Sequence, residues 1–127
     1  MPLVKINLRH GRTTTDKDRI AAAIHAALVD KLLIPADDRD QLFLEFDPEN
    51  FRHTARFLGV SYSRQLLIIE ITLIEGRDEE VRKSLLSEIS ANLVAAEMVT
   101  ADDVFVVLTE ISPANISFGR GLAQRAP

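Results

Sequence analysis

The chain carries an internal duplication, and this feature constrains its fold more than any other. When the sequence is shifted by 65 residues, positions 4–12 fall on 69–77 and positions 35–51 fall on 100–116 without a gap. Self-similarity at one fixed offset is the signature of a repeated structural unit. Identical pairs include Gly11/Gly76, Arg12/Arg77, Ile24/Ile89, Leu28/Leu93, Asp37/Asp102, Asp38/Asp103, Glu45/Glu110, Pro48/Pro113 and Asn50/Asn115. The sequence therefore predicts two copies of one folding unit.

The first copy has the pattern of a β-α-β unit. Apolar residues alternate with polar ones at its start, which is the period of a half-buried strand: Val4, Ile6 and Leu8. A capping box predicted at Thr15 and Asp18 begins an amphipathic helix, and Pro35 is expected to end it. Apolar helix positions recur every four residues: Ile20, Ile24, Leu28 and Leu32. Residues 41–46 complete the unit as a second strand.

The second copy repeats this order. It predicts a strand at residues 66–73, a helix N-cap at Asp78 and a second strand at residues 104–109. The apolar helix positions are again four residues apart: Val81, Leu85, Ile89 and Leu93. A helix that crosses between two strands of one sheet makes those strands parallel. Each copy is therefore expected to contribute one parallel pair of strands.

The predicted fold class is α+β, with a four-stranded sheet and both helices on one face. The chain forms one domain of two β-α-β repeats, at about residues 1–51 and 66–116. Residues 52–65 connect them and are long for a plain connection, which predicts a hairpin or an active-site loop. One face of the sheet stays uncovered by this chain. Because a bare apolar face is unstable in water, we expect an oligomer.

Composition narrows the class of protein. The 127 residues are 46% hydrophobic and carry a net charge of −4, which fits a globular domain and disfavours nucleic acid or an anionic membrane as the main partner. Cysteine is absent and the three histidines lack ligand spacing, so no metal site is predicted. No apolar run reaches the ~20 residues of a membrane span and no signal peptide is evident, so a cytoplasmic location is expected.

Pro2 follows the initiator methionine, and two interpretations of it are open. Proline is tolerated as the first residue of a strand, where its missing N–H costs little. Cells also commonly remove a methionine that precedes a small residue, which would leave Pro2 with a free secondary amine. An α-amine titrates near ~7.7–8.0, where general acids and bases work well. Nearby cations or burial would lower that pKa and favour a base, whereas a carboxylate would raise it.

Several motifs together resemble the tautomerase superfamily. They are the N-terminal Met-Pro, the first strand closing in Gly11-Arg12, the doubled β-α-β unit and the tail NISFGRG at residues 115–121. The segment PADDR at residues 35–39 is most similar to malonate semialdehyde decarboxylase and its relatives. The resemblance covers nearly the whole chain. It implies the fold of 4-oxalocrotonate tautomerase-like proteins with two fused units, and three such chains closing into a homotrimer.

The same resemblance implies three catalytic residues and no cofactor. Pro2 matches the amino-terminal proline that performs acid–base chemistry, Asp38 matches its aspartate partner, and Arg77 matches the arginine that binds the substrate carboxylate. The repeat bears on this, because the position equivalent to Pro2 is Leu67, an internal residue without an amine. Asp103 repeats Asp38, so a structural role in a turn stays open for the aspartate.

The predicted substrate-binding residues match the family's pattern less completely than the catalytic residues do. Arg12 repeats Arg77, so Gly-Arg can also be a plain strand-end signature. Glu75 stands where decarboxylase relatives can carry a second arginine, and Ile116 stands where an aromatic residue usually precedes SFG. Phe118 either lines the pocket or packs under the tail. A second cation is expected from one of several arginines: Arg12, Arg120, Arg52, Arg56 or Arg64.

The predicted function is cofactor-independent proton transfer by Pro2 on a small keto or enol carboxylic acid. Arg77, Arg12, Ile116 and Phe118 are the predicted substrate-binding residues. Two alternatives remain, a malonate semialdehyde decarboxylase-like lyase and an oligomeric binding protein without catalytic activity. The departures at Glu75 and Ile116 count against the decarboxylase and favour the binding protein.

Overall fold

The computed structural model describes all 127 residues and confirms the α+β tandem repeat. Its helices and main strands are β1 (Leu3–Arg9), α1 (Thr14–Leu32), β2 (Asp40–Phe46), β3 (Arg56–Phe57), β4 (Val60–Ser61), β5 (Leu67–Ile74), α2 (Glu79–Ala95) and β6 (Val104–Ile111). Single 3₁₀ turns lie at Pro48–Asn50, Ala101–Asp103 and Pro113–Asn115. The two β-α-β units are β1-α1-β2 and β5-α2-β6.

The four long strands form one mixed sheet in the order β2-β1-β5-β6. The pairs β1/β2 and β5/β6 are parallel, as the crossover rule predicts, and β1 and β5 join the units antiparallel. Lys5 pairs with Glu70 across that junction, and these two residues are also equivalent in the repeat. A residue that pairs with its own repeat equivalent lies on the symmetry axis. The pseudo-twofold axis therefore passes through the Lys5–Glu70 pair.

The core lies between the helical layer and one face of the sheet. Alternate residues of β1 and β5 and the apolar stripes of both helices are buried in one cluster: Val4, Ile6, Leu8, Leu67, Ile69, Ile71, Leu73, Ile20, Ile24, Leu28, Leu32, Leu85, Ile89 and Leu93. Burying a side chain of this size stabilises the fold by about 1.5–3 kcal/mol. The apolar residues that recur every second position in the strands and about every fourth position in the helices thus pack together in one core.

The N-terminal end of α1 differs from the predicted position. The N-cap is Thr13 and not Thr15, and its hydroxyl accepts a hydrogen bond from the Asp16 amide at 3.1 Å. The Asp16 carboxylate accepts one from the Thr13 amide at 3.3 Å, which completes a capping box. The chain offers the same Thr-x-x-Asp spacing twice, and the earlier pair directly follows the turn at Gly11. The predicted cap of α2 at Asp78 is confirmed, since its carboxylate accepts from the Val81 amide at 3.0 Å.

The connection between the units contains a short hairpin, one of the two alternatives that its length predicted. Strands β3 and β4 pair antiparallel, and Leu58 and Gly59 form the turn with φ of 49° and 82°. Two successive residues with positive φ are typical of the tight turns that match strand twist. The segment is held against the 3₁₀ turn before β6, since the Ser61 amide donates to the Asp102 carboxylate at 3.1 Å and the Ser63 amide to the Asp103 carboxylate at 2.7 Å.

The other face of the sheet is open to solvent and is apolar at both margins. One row across it runs Leu42, Lys5, Glu70 and Val107, and the next runs Leu44, Asn7, Ile68 and Phe105. The four outer residues are between 36% and 49% exposed: Leu42, Leu44, Phe105 and Val107. This open face is the sheet face that the sequence predicts to be uncovered by the rest of the chain. Neither helix is long and apolar enough to cross a membrane.

Candidate active site

The antiparallel junction brings the start of β1 to the end of β5. Leu3 pairs with Thr72, so the buried Pro2 lies at the same end of the sheet as the turn that follows Ile74. That turn contains Gly76 at φ 130°, a conformation that side-chain-bearing residues rarely adopt. The Glu75 amide donates to the Ile111 carbonyl at 2.9 Å and anchors the turn to β6. Arg77 is thereby placed near the chain's N-terminus.

Asp38 reaches the same point from the end of α1. The helix ends when Leu33 adopts a left-handed conformation at φ 55°, and the Asp38 amide then donates to the Pro35 carbonyl at 3.1 Å. The turn directs the Asp38 carboxylate at the N-terminal ammonium of Met1, which lies 2.7 Å from both carboxylate oxygens. With Met1 in place, the ammonium belongs to Met1 and the nitrogen of Pro2 is an amide. Removal of Met1 would transfer the amine to Pro2, one residue along the chain.

These groups line one cavity of about 410 Å³. Its walls combine apolar residues from the end of α1 with charged groups from both units: Met1, Leu32, Leu33, Ile34, Pro35, Asp38, Ile74, Glu75, Arg77, Pro113 and Arg125. A small organic acid fits a space of this size, and an amine, two guanidinium groups and two carboxylates surround it. The cavity thus combines potential acid–base groups with potential carboxylate-binding groups.

Arg77 is half-buried and makes no ion pair within 4 Å. Its guanidinium has one long hydrogen bond, 3.5 Å from Nη1 to the Ile74 carbonyl. The Arg77 carbonyl accepts from the guanidinium of Arg82, which also pairs with Glu110 at 3.4 Å. The backbone of Arg77 is therefore held in place while most of its donors stay available for a planar anion.

The second cation of the cavity is Arg125, which the sequence did not indicate. The C-terminal segment folds back on itself, with the Gln124 side chain accepting from the Phe118 amide at 3.0 Å and donating to the Gly119 carbonyl at 2.9 Å. This places Arg125 in the cavity wall. None of the five arginines proposed for the role lines this cavity. The tail has no periodicity from which its fold-back could have been predicted.

The remaining predicted residues lie elsewhere or outside the cavity wall. Arg12 is at the opposite end of the β1/β5 junction and lines a separate cavity. Ile116 is half-buried and Phe118 is 48% exposed, and neither lines the cavity that holds Asp38 and Arg77. Glu75 does line it, so its negative charge would repel a carboxylate bound there.

Two family models, both described as tautomerase enzyme, match the chain over residues 38–119 and residues 2–53. The chain belongs to the tautomerase family. A probable tautomerase of Bacillus subtilis (strain 168), YusQ, is 30% identical to it over 124 residues, which are 98% of each chain. This membership supports an enzyme of the tautomerase superfamily, in agreement with the sequence resemblance.

Solved structures of tautomerase-fold proteins superpose on most of the chain. Malonate semialdehyde decarboxylase is 31% identical, with a TM-score of 0.88 over 96% of this chain and 94% of its own. The FG41 malonate semialdehyde decarboxylase inhibited by 3-bromopropiolate is 35% identical, with a TM-score of 0.87 over 96% of this chain and 92% of its own. A fused 4-OT symmetric trimer is 22% identical, with a TM-score of 0.77 over 94% of each chain, and shares the fold.

Proposed function

We propose that this tautomerase-family enzyme transfers protons on a small keto or enol carboxylate, and that its acid–base group is the secondary amine of Pro2 after removal of Met1. One observation carries the proposal. The N-terminal amine, the Asp38 carboxylate and the Arg77 guanidinium line a single cavity, although they come from three separate parts of the chain.

In the proposed reaction, the neutral amine of Pro2 takes the proton from the enol hydroxyl or from the carbon next to the carbonyl. The electron pair of the broken bond moves into the enolate system, and the prolyl ammonium returns a proton to the other end of it. Asp38 accepts hydrogen bonds from the ammonium and stabilises it. Arg77 and Arg125 bind the substrate carboxylate, Arg77 through its planar fork of donors. No cofactor is needed, because the proton only changes position.

A malonate semialdehyde decarboxylase-like reaction is the second candidate. In this reaction the N-terminal ammonium, which lies 2.7 Å from the Asp38 carboxylate, would donate a hydrogen bond to the substrate carbonyl and polarise it. The bond to the substrate carboxylate then breaks, carbon dioxide leaves and the electron pair enters the polarised carbonyl as an enol, which is later protonated at carbon. The similarity to two such decarboxylases supports this candidate. Glu75 counts against this candidate, because it places a negative charge at a position where decarboxylase relatives can carry an arginine.

The proposal includes a homotrimer located in the cytoplasm. Three chains supply six β-α-β units, and a ring of six would bury every open face in a central barrel. The exposed apolar residues Leu42, Leu44, Phe105 and Val107 support burial in an assembly. The number three comes from the resemblance to tautomerases. An oligomeric binding protein that kept this assembly without activity is the remaining alternative.

The deciding experiment follows the ketonisation of phenylenolpyruvate by ultraviolet absorbance. Three forms are compared: protein shown by intact mass to begin at Pro2, the Pro2→Ala variant, and protein that retains Met1. Activity in the first form and its collapse in the other two would support the proline mechanism. Equal rates in all three would overturn it. Release of carbon dioxide from malonate semialdehyde, in the same three forms, distinguishes the decarboxylase from the tautomerase, and no reaction with either favours the binding protein.

A further inference from the structure

The pseudo-twofold axis relates the candidate active site to a second cavity at the other end of the β1/β5 junction. This second cavity has a volume of about 280 Å³, and none of its lining residues is hydrophobic: Arg9, His10, Gly11, Arg12, Asp16, Arg64 and Gln65. We propose that it is a second binding site, without catalytic function, for a small oxyanion such as a dicarboxylate or phosphate. The inference is independent of the proposed function of Pro2.

The repeat explains why this site would bind without reacting. Arg12 is the repeat equivalent of Arg77, so the second cavity retains the guanidinium. Leu67, the equivalent of Pro2, is internal and buried and has no amine. Asp103, the equivalent of Asp38, is buried and accepts hydrogen bonds from the amide of Ser63 at 2.7 Å and from its hydroxyl. The acid–base half of the site is therefore absent, and the anion-binding half remains.

The arginines of the second cavity form no ion pair within the chain. None of Arg9, Arg12 and Arg64 has a carboxylate oxygen within 4 Å. Asp16 is the one carboxylate in the lining, and its hydrogen bonds are those of the α1 capping box. His10 does not add a free cation, because its ring lies 3.1 Å from Glu45. Three arginines therefore line a polar space of about 280 Å³, which has room for a small anion.

Two of these guanidinium groups are positioned before any ligand binds. Arg12 is half-buried and donates from Nη2 to the Gln65 carbonyl at 2.8 Å. Arg9 donates to the carbonyls of Arg64 at 3.2 Å and Phe51 at 3.0 Å, and its guanidinium carbon lies 4.8 Å from the centre of the Phe51 ring. Groups that are already oriented lose little side-chain entropy on binding, which favours affinity.

Burial supports the same interpretation of Arg12. Loss of hydration on burial lowers the pKa of Arg12 from its ordinary value, and the charges of Asp16 and Asp103 offset this only in part. A partly desolvated guanidinium that has no ion pair gains more from an anion than a fully hydrated one does. Arginine also binds carboxylate and phosphate groups through two parallel N–H donors. The two anion classes share this chemistry, so the experiment has to separate them.

The test is a titration of ¹⁵N-labelled full-length protein followed by the backbone amide signals of Gly11 and Gln65, with Gly76 as the reporter of the first cavity. Malonate and inorganic phosphate are added separately, and sodium chloride at matched ionic strength is the control. We expect saturable shifts at Gly11 and Gln65 with at least one anion. The anion that binds more tightly identifies the class of ligand. Shifts that are absent, or equal to those in chloride, would overturn the site.

Variants assign the binding to the arginines. Arg12→Gln combined with Arg64→Gln is expected to weaken binding at this cavity by about tenfold or more, while the shift at Gly76 is unchanged. Arg12→Lys is the conservative variant should the double variant fold poorly, and Arg56→Gln, on the exposed hairpin, is the matched control. Equal affinity in the double variant and the control would overturn the site. Pro2→Ala should leave these shifts intact, so failure of the proline mechanism and failure of this site are distinguishable.

Discussion

Both carboxylate oxygens of Asp38 lie 2.7 Å from the N-terminal ammonium of Met1, although strand β1 and the whole of helix α1 separate the two residues in sequence. The parallel pairing of β1 and β2 produces this contact, because it returns the chain to the end of the sheet at which it began. The fold therefore places the N-terminal ammonium beside an aspartate.

Asp38→Asn tests that relationship directly. We expect kcat of the Pro2-starting enzyme to fall by about 10²- to 10⁴-fold, because an amide does not stabilise the prolyl ammonium as a carboxylate does. The measurement is the ketonisation rate under saturating substrate. Asp37→Asn, at the exposed neighbouring residue, is the control and should keep the original rate. An unchanged rate in Asp38→Asn would assign this aspartate to the turn alone.

Arg125→Gln tests the cation contributed by the tail. A charge-assisted hydrogen bond contributes about 1.5–3 kcal/mol, so KM for a carboxylate substrate should rise by roughly 10- to 100-fold. The rise should be larger in KM than in kcat, since the group binds the part of the substrate that does not react. Arg120→Gln, in the same exposed tail and outside the cavity, is the control. If KM is unchanged in Arg125→Gln, the tail contributes no cation to substrate binding.

Glu75→Gln tests the carboxylate that opposes substrate binding. Removing a negative charge from the cavity wall should lower KM for an anionic substrate by about threefold to tenfold, with kcat little changed. Glu80→Gln, on the exposed first turn of α2, removes an equal charge outside the cavity. A higher KM in Glu75→Gln would show instead that the glutamate assists binding.

Lys17→Met tests the cause of the lowered pKa of Glu45. Hydrogen bonds from Lys17, and to a lesser extent His10, lower the pKa of Glu45 below its ordinary value. A lowered pKa in the folded state adds stability that is present above the ordinary pKa and is lost as pH falls through the lowered one. Wild type should therefore exceed Lys17→Met in unfolding free energy at neutral pH, and the difference should shrink as the pH falls below the ordinary carboxyl pKa and through the lowered one.

The measurement for that prediction is urea unfolding followed by circular dichroism across this pH range. The matched control is Lys83→Met, which removes the ion pair between the exposed helix residues Lys83 and Glu79. A carboxyl titration by NMR should also show the pKa of Glu45 rising in Lys17→Met. A stability difference that does not depend on pH would argue that Lys17 acts by packing alone.

Phe105→Glu tests the open face of the sheet. A charge at the apolar margin should dissociate the assembly, because the apolar contact is lost and the new carboxylate would be buried without a partner. Sedimentation equilibrium should show trimers for the wild type and monomers for the variant. Val94→Glu, on the exposed surface of α2, is the control and should stay trimeric. A wild type that is monomeric at all concentrations would contradict the assembly.

The amino-acid sequence alone determined the local elements and their repetition. Alternation at Val4, Ile6 and Leu8 predicted a strand, and four-residue spacing from Ile20 predicted the helix, because these periods reflect backbone geometry that each segment has by itself. The duplication added the topology, since two β-α-β units allow few arrangements in one sheet. Local patterns did not determine which of two equivalent capping signals begins the helix. Thr13 and Thr15 have the same capping spacing, and the turn at Gly11 selects Thr13.

The tertiary structure decided which charged side chains share a cavity. Arg12 and Arg77 are indistinguishable in the repeat, but the antiparallel register of β1 and β5 places Arg77 beside Asp38 and Arg12 at the far end. Arg125 joins the first cavity through the fold-back of a tail that has no periodic pattern. These outcomes depend on contacts between residues far apart in sequence, and local patterns carry no information about such distances.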